Sequence, residues 1–186
     1  MPGILLTHGA GSNSQAPLLR KIAAELTGRG WLIQLYDLPF RQKRPSGPPR
    51  PTDGVADRAG LQTACAILRS QLPPGDRLVL SGHSYGGRQA TMLGADEPAI
   101  ADLILAWSYP LHPPGKPEQL RTAHFPNLRT PAIFASGERD DFGTPDELRA
   151  ALALIPAPTH LELFPKFGHS LSLKADFSIV YDLLQK

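Results

Sequence analysis

The stretch Leu78-Val79-Leu80-Ser81-Gly82-His83-Ser84-Tyr85-Gly86-Gly87 carries the most information in this chain. An apolar run leads straight into Gly82-x-Ser84-x-Gly86, and the residues that follow, Arg88 to Gly94, can form a helix. A serine at a sharp strand-to-helix turn has a strained backbone and crowded neighbours, so Gly82 and Gly86 leave room for adjacent backbone. The turn exposes the Ser84 hydroxyl at the start of a helix, where developing negative charge is stabilised. A chance five-residue pattern around an ordinary turn serine is the alternative. The strand before and the helix after argue against it.

Outward from this stretch, short apolar runs alternate with helical patterns, the signature of βα units and a mainly parallel sheet. Strands are expected at 3–7, 32–37, 77–81, 103–107, 132–136 and 160–164. Runs such as Leu78-Val79-Leu80 and Leu103-Ile104-Leu105-Ala106 lack polar alternation, as strands covered by helices on both faces do. Helices are expected over 15–29 and 57–72, each with one apolar face, and over 175–184. Thr144-Pro145-Asp146-Glu147 reads as a helix start: an N-cap, a first-turn proline and acidic residues at the positive end of the helix dipole. The proline-rich segment 39–54 is expected to be a long mobile loop, and 109–131 a loop with one short helix near 118–124. One domain over 1–186 is expected, in the α/β class, with about six parallel strands and helices on both faces.

Composition narrows the classes of function. Hydrophobic residues at 41% and charged residues at 19% suit a folded domain rather than a disordered chain. A formal charge of +2 is too small for a nucleic-acid binder, and the basic cluster Arg41, Lys43, Arg44 and Arg50 is interleaved with prolines, as in a solvated loop. The single cysteine, Cys65, lies on the apolar side of its helix, so it is expected in the core; it allows no internal disulfide and suits a reducing, cytoplasmic compartment. No window is apolar enough for a spanning helix, and Met1-Pro2-Gly3-Ile4-Leu5-Leu6 shows neither a basic n-region nor a long apolar h-region, so no signal peptide is expected. No membrane partner, cofactor or metal is expected: the histidines are scattered and the Asp140-Asp141 pair has no further ligand at suitable spacing. Gly9-x-Gly11 begins like a dinucleotide fingerprint, but position 14 is serine and no Gly-Lys-Ser/Thr occurs.

A serine hydroxyl needs a base within hydrogen-bond reach. Of the six histidines, only His169 lies late, in Phe167-Gly168-His169-Ser170-Leu171 between the last strand and the last helix. The order serine, acid, histidine selects it. The acid should leave the strand at 132–136, which empties into Gly137-Glu138-Arg139-Asp140-Asp141. Asp140 is the candidate on its spacing from Gly137, with Asp141 as the alternative. The first strand opens into Thr7-His8-Gly9-Ala10-Gly11, whose backbone amides can approach a carbonyl closely. The Tyr85 amide and that of Ala10 or Gly11 are therefore the candidate oxyanion donors. Tyr85, Trp107, Tyr109, Leu111, Phe142 and Phe167 are candidates for the lining of the pocket mouth, with a core position as the alternative for each.

Thr7-His-Gly-Ala-Gly11, Gly82-His-Ser-Tyr-Gly-Gly87 and Phe167-Gly-His-Ser170 together resemble the α/β-hydrolase superfamily. More narrowly, Trp107-Ser-Tyr-Pro-Leu-His-Pro-Pro-Gly-Lys-Pro117 and Gly137-Glu-Arg-Asp-Asp-Phe-Gly-Thr-Pro145 are similar to small dienelactone-hydrolase-like hydrolases. These are related to the branch of the testis-expressed protein and the histone-acetyltransferase-complex subunit. The resemblance implies a minimal α/β-hydrolase fold without a substantial lid, because 109–131 is too short for a multi-helix cover, and hence a shallow, open pocket. It implies a serine hydrolase acting on a small ester-like substrate through an acyl-enzyme. Dienelactone hydrolases proper use cysteine where this chain has Ser84, so their substrate does not carry over. The competing expectations are a thioesterase or peptidase using the same residues, and a binding or scaffold protein that keeps the fold without turnover.

Overall fold

The computed structural model describes residues 1–185. Six strands form one parallel sheet: β1 (Gly3–Thr7), β2 (Leu32–Tyr36), β3 (Leu78–His83), β4 (Leu103–Trp107), β5 (Ala132–Gly137) and β6 (Thr159–Phe164), in the order β2-β1-β3-β4-β5-β6. β1, β3, β4 and β5 are covered on both sides, which is why they read as continuous apolar runs. The edge strands β2 and β6 are only partly buried and carry the polar residues Gln34, His160 and Glu162.

Alternation along the strands divides the core. Leu5, Leu80, Ile104, Ala106 and Phe134 pack on one face, under helices α3 (Asp53–Gln71), α4 (Tyr85–Asp96) and α5 (Pro145–Leu152). Ile4, Leu6, Val79, Leu105 and Ala135 pack on the other, under α1 (Pro17–Thr27) and α6 (Ser178–Leu183). Leu19, Ile22 and Leu26 are the buried stripe of α1, and Leu61, Ala64, Cys65 and Leu68 that of α3. Cys65 is a core residue, and burial pushes its thiol up to about 12. α5 starts where the sequence reads a cap. The Thr144 hydroxyl accepts from the Glu147 amide, and the Glu147 carboxylate accepts from the Thr144 amide at 2.8 Å.

Two segments differ from the sequence reading. Residues 39–54 are not one loop: α2 (Pro39–Lys43) opens the segment and α3 already begins at Asp53. Pro39 sits at the first position of α2, where its missing N–H costs nothing, and the Phe40 amide is taken by the buried Asp57 carboxylate at 3.0 Å. The expected helix at 118–124 is absent, and a 3₁₀ turn forms at Phe125–Asn127 instead. The Arg121 amide donates to the Leu111 carbonyl at 2.8 Å, and the Tyr109 hydroxyl donates to the Arg121 carbonyl at 2.6 Å. Tertiary bonds thus take the backbone groups that a helix would have used. Among the described residues no helix is long and apolar enough to cross a membrane.

Phe134 lies at the centre of one core face, fully buried, with its ring 5.5 Å from that of Tyr109 and 5.9 Å from that of Phe125. Phe134→Ala should lower the free energy of unfolding by about 3–5 kcal/mol, read from urea denaturation, a large share of the total for a domain of this size.

Candidate active site

The strand order reverses between β1 and β3: the chain moves outward from β1 to β2, then returns past β1 to β3. Ligands bind parallel α/β sheets at such a point, beyond the carboxyl ends of the strands. Here the loop after β1 and the turn after β3 meet.

Ser84 stands at the turn with φ 51° and ψ −115°, a backbone conformation that side chains other than glycine rarely adopt. Its amide donates to the Trp107 carbonyl at 2.8 Å, and its own carbonyl accepts from the Arg88 amide at 3.0 Å. The crowding expected at the flanking glycines is present. A Cβ on Gly82 would stand 2.4 Å from the Gly86 carbonyl carbon, and one on Gly86 would stand 2.6 Å from the His8 carbonyl oxygen.

The structure brings Ser84, His169 and Asp140 together. His169 Nε2 lies 2.8 Å from Ser84 Oγ, and its Nδ1 lies 2.9 Å and 3.0 Å from the two Asp140 carboxylate oxygens. Nδ1–H therefore donates to Asp140, and Nε2 is left to accept from the serine hydroxyl. Asp140 is only 3% exposed and also accepts from the Phe142 amide at 2.8 Å, whereas Asp141 is exposed and makes neither contact. The Phe142 ring stacks on the His169 ring at 4.0 Å and 28°. The loops after β5 and β6 approach so closely that a Cβ on Gly137 would stand 2.2 Å from the Phe167 carbonyl oxygen. The Arg139 amide donates to that same carbonyl at 2.9 Å.

The loop after β1 is held from two directions. His8 Nδ1–H donates to the Gly9 carbonyl at 2.8 Å, and His8 Nε2 accepts from the Leu38 amide at 3.1 Å. Both bonds require the neutral ring, and burial keeps His8 below its ordinary pKa; Asp37, 3.5 Å away, does not offset it. From α2, the buried Arg41 reaches across to four carbonyls: those of Ala10 (2.9 Å), Ser12 (2.8 Å), Gly47 (2.9 Å) and Arg44 (3.1 Å). Among the described residues the Ala10, Gly11 and Tyr85 amides donate to no protein acceptor.

The aromatic candidates separate into two groups. Trp107, Tyr109 and Leu111 do not line the mouth. Trp107 is buried against Phe177 with its indole N–H donated to Ser81 Oγ at 3.1 Å, and Tyr109 and Leu111 lie in the core of the opposite face. All three follow or end β4, whose side chains here enter the helix layers rather than the surface. Phe142, Phe167 and Tyr85 are half-buried; the Tyr85 ring packs edge-on to Phe40 at 5.7 Å and its hydroxyl donates to Asp57 at 2.8 Å.

Sequence reasoning misses three residues of this neighbourhood. Arg41, read from the sequence as part of a solvated basic loop, is instead buried on α2, because backbone carbonyls, which leave no sequence signal, take its guanidinium. Asp57 does give one: it falls in phase with Leu61, Ala64 and Leu68 on the apolar stripe of α3, so its carboxylate has to be buried and bonded. His83 lies inside the motif itself. Its Nε2–H donates to the His169 carbonyl at 3.3 Å, and burial, reinforced by the neighbouring His169, pushes it down to about 4. Among the described residues no group of three or more His, Cys, Asp or Glu side chains is placed to hold a metal ion.

Arg41→Ala should speed amide exchange by tenfold or more at the bonded amides of Ser12, Ser14 and Ala16 while β4 stays protected, measured by hydrogen–deuterium exchange. The neutral His83 also makes stability depend on pH. Its folded pKa lies below the ordinary 6.5, so the unfolded chain binds the proton more readily. Stability is therefore full above about pH 6.5 and falls as the pH drops towards 4. His83 alone should cost about 2 kcal/mol between pH 7 and pH 5 in urea titrations.

Comparison with known proteins agrees with this architecture. The dienelactone hydrolase of Anabaena variabilis superposes with a TM-score of 0.72 at 20% identity, over 99% of this chain and 83% of that one. An esterase of Pyrococcus furiosus gives 0.76 at 17% identity, over 99% and 81%. A monoacylglycerol lipase of Paleococcus ferrophilus gives 0.76 at 14% identity, over 98% and 91%. At such identities these likenesses establish the fold. The sequence profile of the alpha/beta hydrolase domain matches residues 1–178, and the chain belongs to that family.

Proposed function

We propose that the protein is a serine hydrolase that cleaves small carboxylic esters through an acyl-enzyme. The observation that carries this reading is the continuous hydrogen-bonded line from Asp140 through His169 to Ser84. In the first step His169 Nε2 takes the Ser84 proton as Oγ attacks the ester carbonyl carbon. The Tyr85 amide and that of Ala10 or Gly11 receive the oxyanion, and His169 returns the proton to the departing alcohol. Water, deprotonated by the same nitrogen, then attacks the acyl carbon, and the acid leaves with Ser84 regenerated. Asp140 accepts from Nδ1–H throughout, which fixes the tautomer and stabilises the imidazolium.

The stretch Trp107–Pro117 supports placing the chain with the small, lidless, dienelactone-hydrolase-like branch related to the testis-expressed protein and the histone-acetyltransferase-complex subunit. The single cysteine, buried in the core, suits a reducing cytoplasmic setting.

A fluorophosphonate probe should add once to the wild type and not at all to Ser84→Ala, by intact mass. Asp140→Asn should label far more slowly and lose about 10³–10⁴-fold in kcat on p-nitrophenyl esters. Thioester and peptide substrates assayed in parallel should turn over more slowly than the esters. A well-folded wild type that takes no label would overturn the hydrolase reading in favour of a binding protein.

A further inference from the structure

Against α3 and the start of α4 lies a cavity of about 570 Å³ whose charge the chain balances only in part. Tyr85, next in sequence to Ser84, forms part of its wall, together with Pro49 and Pro51 and the side chains of Arg58, Arg88 and Arg121; the exposed Arg50 also borders it. The carboxylates of this region are already engaged. Asp53 pairs with Arg44, and Asp57 is buried, accepting from the Phe40 amide and the Tyr85 hydroxyl. Arg58 donates to Gln89 at 3.0 Å and has one carboxylate near it, the exposed Asp96 at 3.7 Å. Arg121 donates to the Pro110 carbonyl at 3.2 Å. Arg88 makes no side-chain hydrogen bond or ion pair with any described residue, and its Nε is buried without a partner.

Guanidinium groups cannot discharge by losing a proton, so clustering Arg58, Arg88 and Arg121 with one exposed carboxylate, Asp96, near only the first of them costs Coulomb energy that an anion would recover. Their mutual repulsion registers on the neighbours. Arg121 is held below its usual range by burial and by Arg88, and His124 is pushed down to about 4 by burial, Arg88 and Arg58. Such a group of planar donors suits a carboxylate or a phosphate, which it can hold through paired hydrogen bonds. Arg88 lies in the first turn of α4, one turn on from Ser84, and Tyr85 between them belongs to the cavity wall, so the cavity and the candidate nucleophile share the start of one helix.

We propose that this cavity binds an anionic group, carboxylate or phosphate, carried by the substrate away from the scissile bond, which makes the natural substrate an acidic ester. The inference rests on the serine-hydrolase reading for its substrate, but the anion site can be tested without turnover.

Two experiments on the full chain at low ionic strength decide it. Calorimetric titration with sodium glutarate and with inorganic phosphate should show binding to wild type that weakens at least tenfold in Arg88→Gln and in Arg121→Gln, and not in the surface variant Arg149→Gln. The stronger of the two anions identifies the chemistry. In kinetics, mono-p-nitrophenyl glutarate is compared with its methyl ester, and 4-acetoxybenzoate with its methyl ester, so that the charge lies on the acyl side in one pair and the alcohol side in the other. At least one acid should exceed its neutral counterpart tenfold in kcat/KM, and that preference should vanish in Arg88→Gln and Arg121→Gln. Ratios near one in both pairs, with no arginine-dependent anion binding, would overturn the proposal and leave the hydrolase reading standing if Ser84 still takes the probe. Anion binding without any labelling of Ser84 would keep the site and remove the hydrolase reading.

Discussion

The backbone turn at Ser84 is the constraint from which the rest of the site follows. A non-glycine residue at φ 51° costs on the order of 1–3 kcal/mol and persists only where its surroundings leave no alternative. Here β3 supplies them. It is a central strand, hydrogen-bonded on both sides and buried on both faces, so the chain reaches Gly82 in a fixed direction. α4 then has to leave so tightly that Gly86 lies against the His8 carbonyl. The end of β1 is thereby placed beside the turn. His8 ties that end to Leu38, Leu38 caps α2, and Arg41 of α2 reaches back to Ala10 and Ser12. The loop with the free amides is thus closed into a ring of bonds around the serine.

Burial sorts the histidines around this ring. His8 and His83 both lie within hydrogen-bonding distance of the loops that frame Ser84, and either would be a competing base if solvated. Desolvation holds each neutral, and each uses its ring to orient backbone: His8 at Gly9 and Leu38, His83 at the His169 carbonyl. His169 alone has a carboxylate on one nitrogen and the serine on the other. Placing His83 inside the Gly-x-Ser-x-Gly motif therefore does more than fill a variable position, because it supports the backbone of the residue proposed as the base.

Legibility in the sequence follows how local each cause is. The strands and the turn at Ser84 come from apolar runs and glycine spacing, so the strand set and the α/β class are readable directly. The helix start at Thr144 is a four-residue pattern and reads equally well. α2 does not, because prolines at 45, 48, 49 and 51 dominate the composition while Phe40 and Arg41 are fixed by Asp57 and by distant carbonyls. Trp107, Tyr109 and Leu111 mislead for a related reason. An aromatic residue at the carboxyl end of a strand can face the site or a helix layer, and Phe177, Phe125 and Phe134 decide that here from far along the chain.

The register of the parallel sheet explains why residues so far apart in sequence meet at one level. Thr7 pairs with Gly82, His83 with Trp107 and Gly137 with Phe164, so the loops after β1, β3, β5 and β6 all leave from the same edge of one rigid layer. Between the last two, Gly137 permits backbone contact at a distance that any side chain would prevent, and that contact sets the spacing of Asp140 and His169. The surroundings of Ser84 are then unlike on its two sides. One presents the stacked rings of Phe142 and His169, which cover the bond to the buried Asp140; the other presents Tyr85, which also forms part of the wall of the arginine-lined cavity. Free backbone amides beside Ser84 and a histidine bonded to a buried carboxylate suit the acyl transfer proposed above, in which negative charge builds up on the carbonyl oxygen of the substrate.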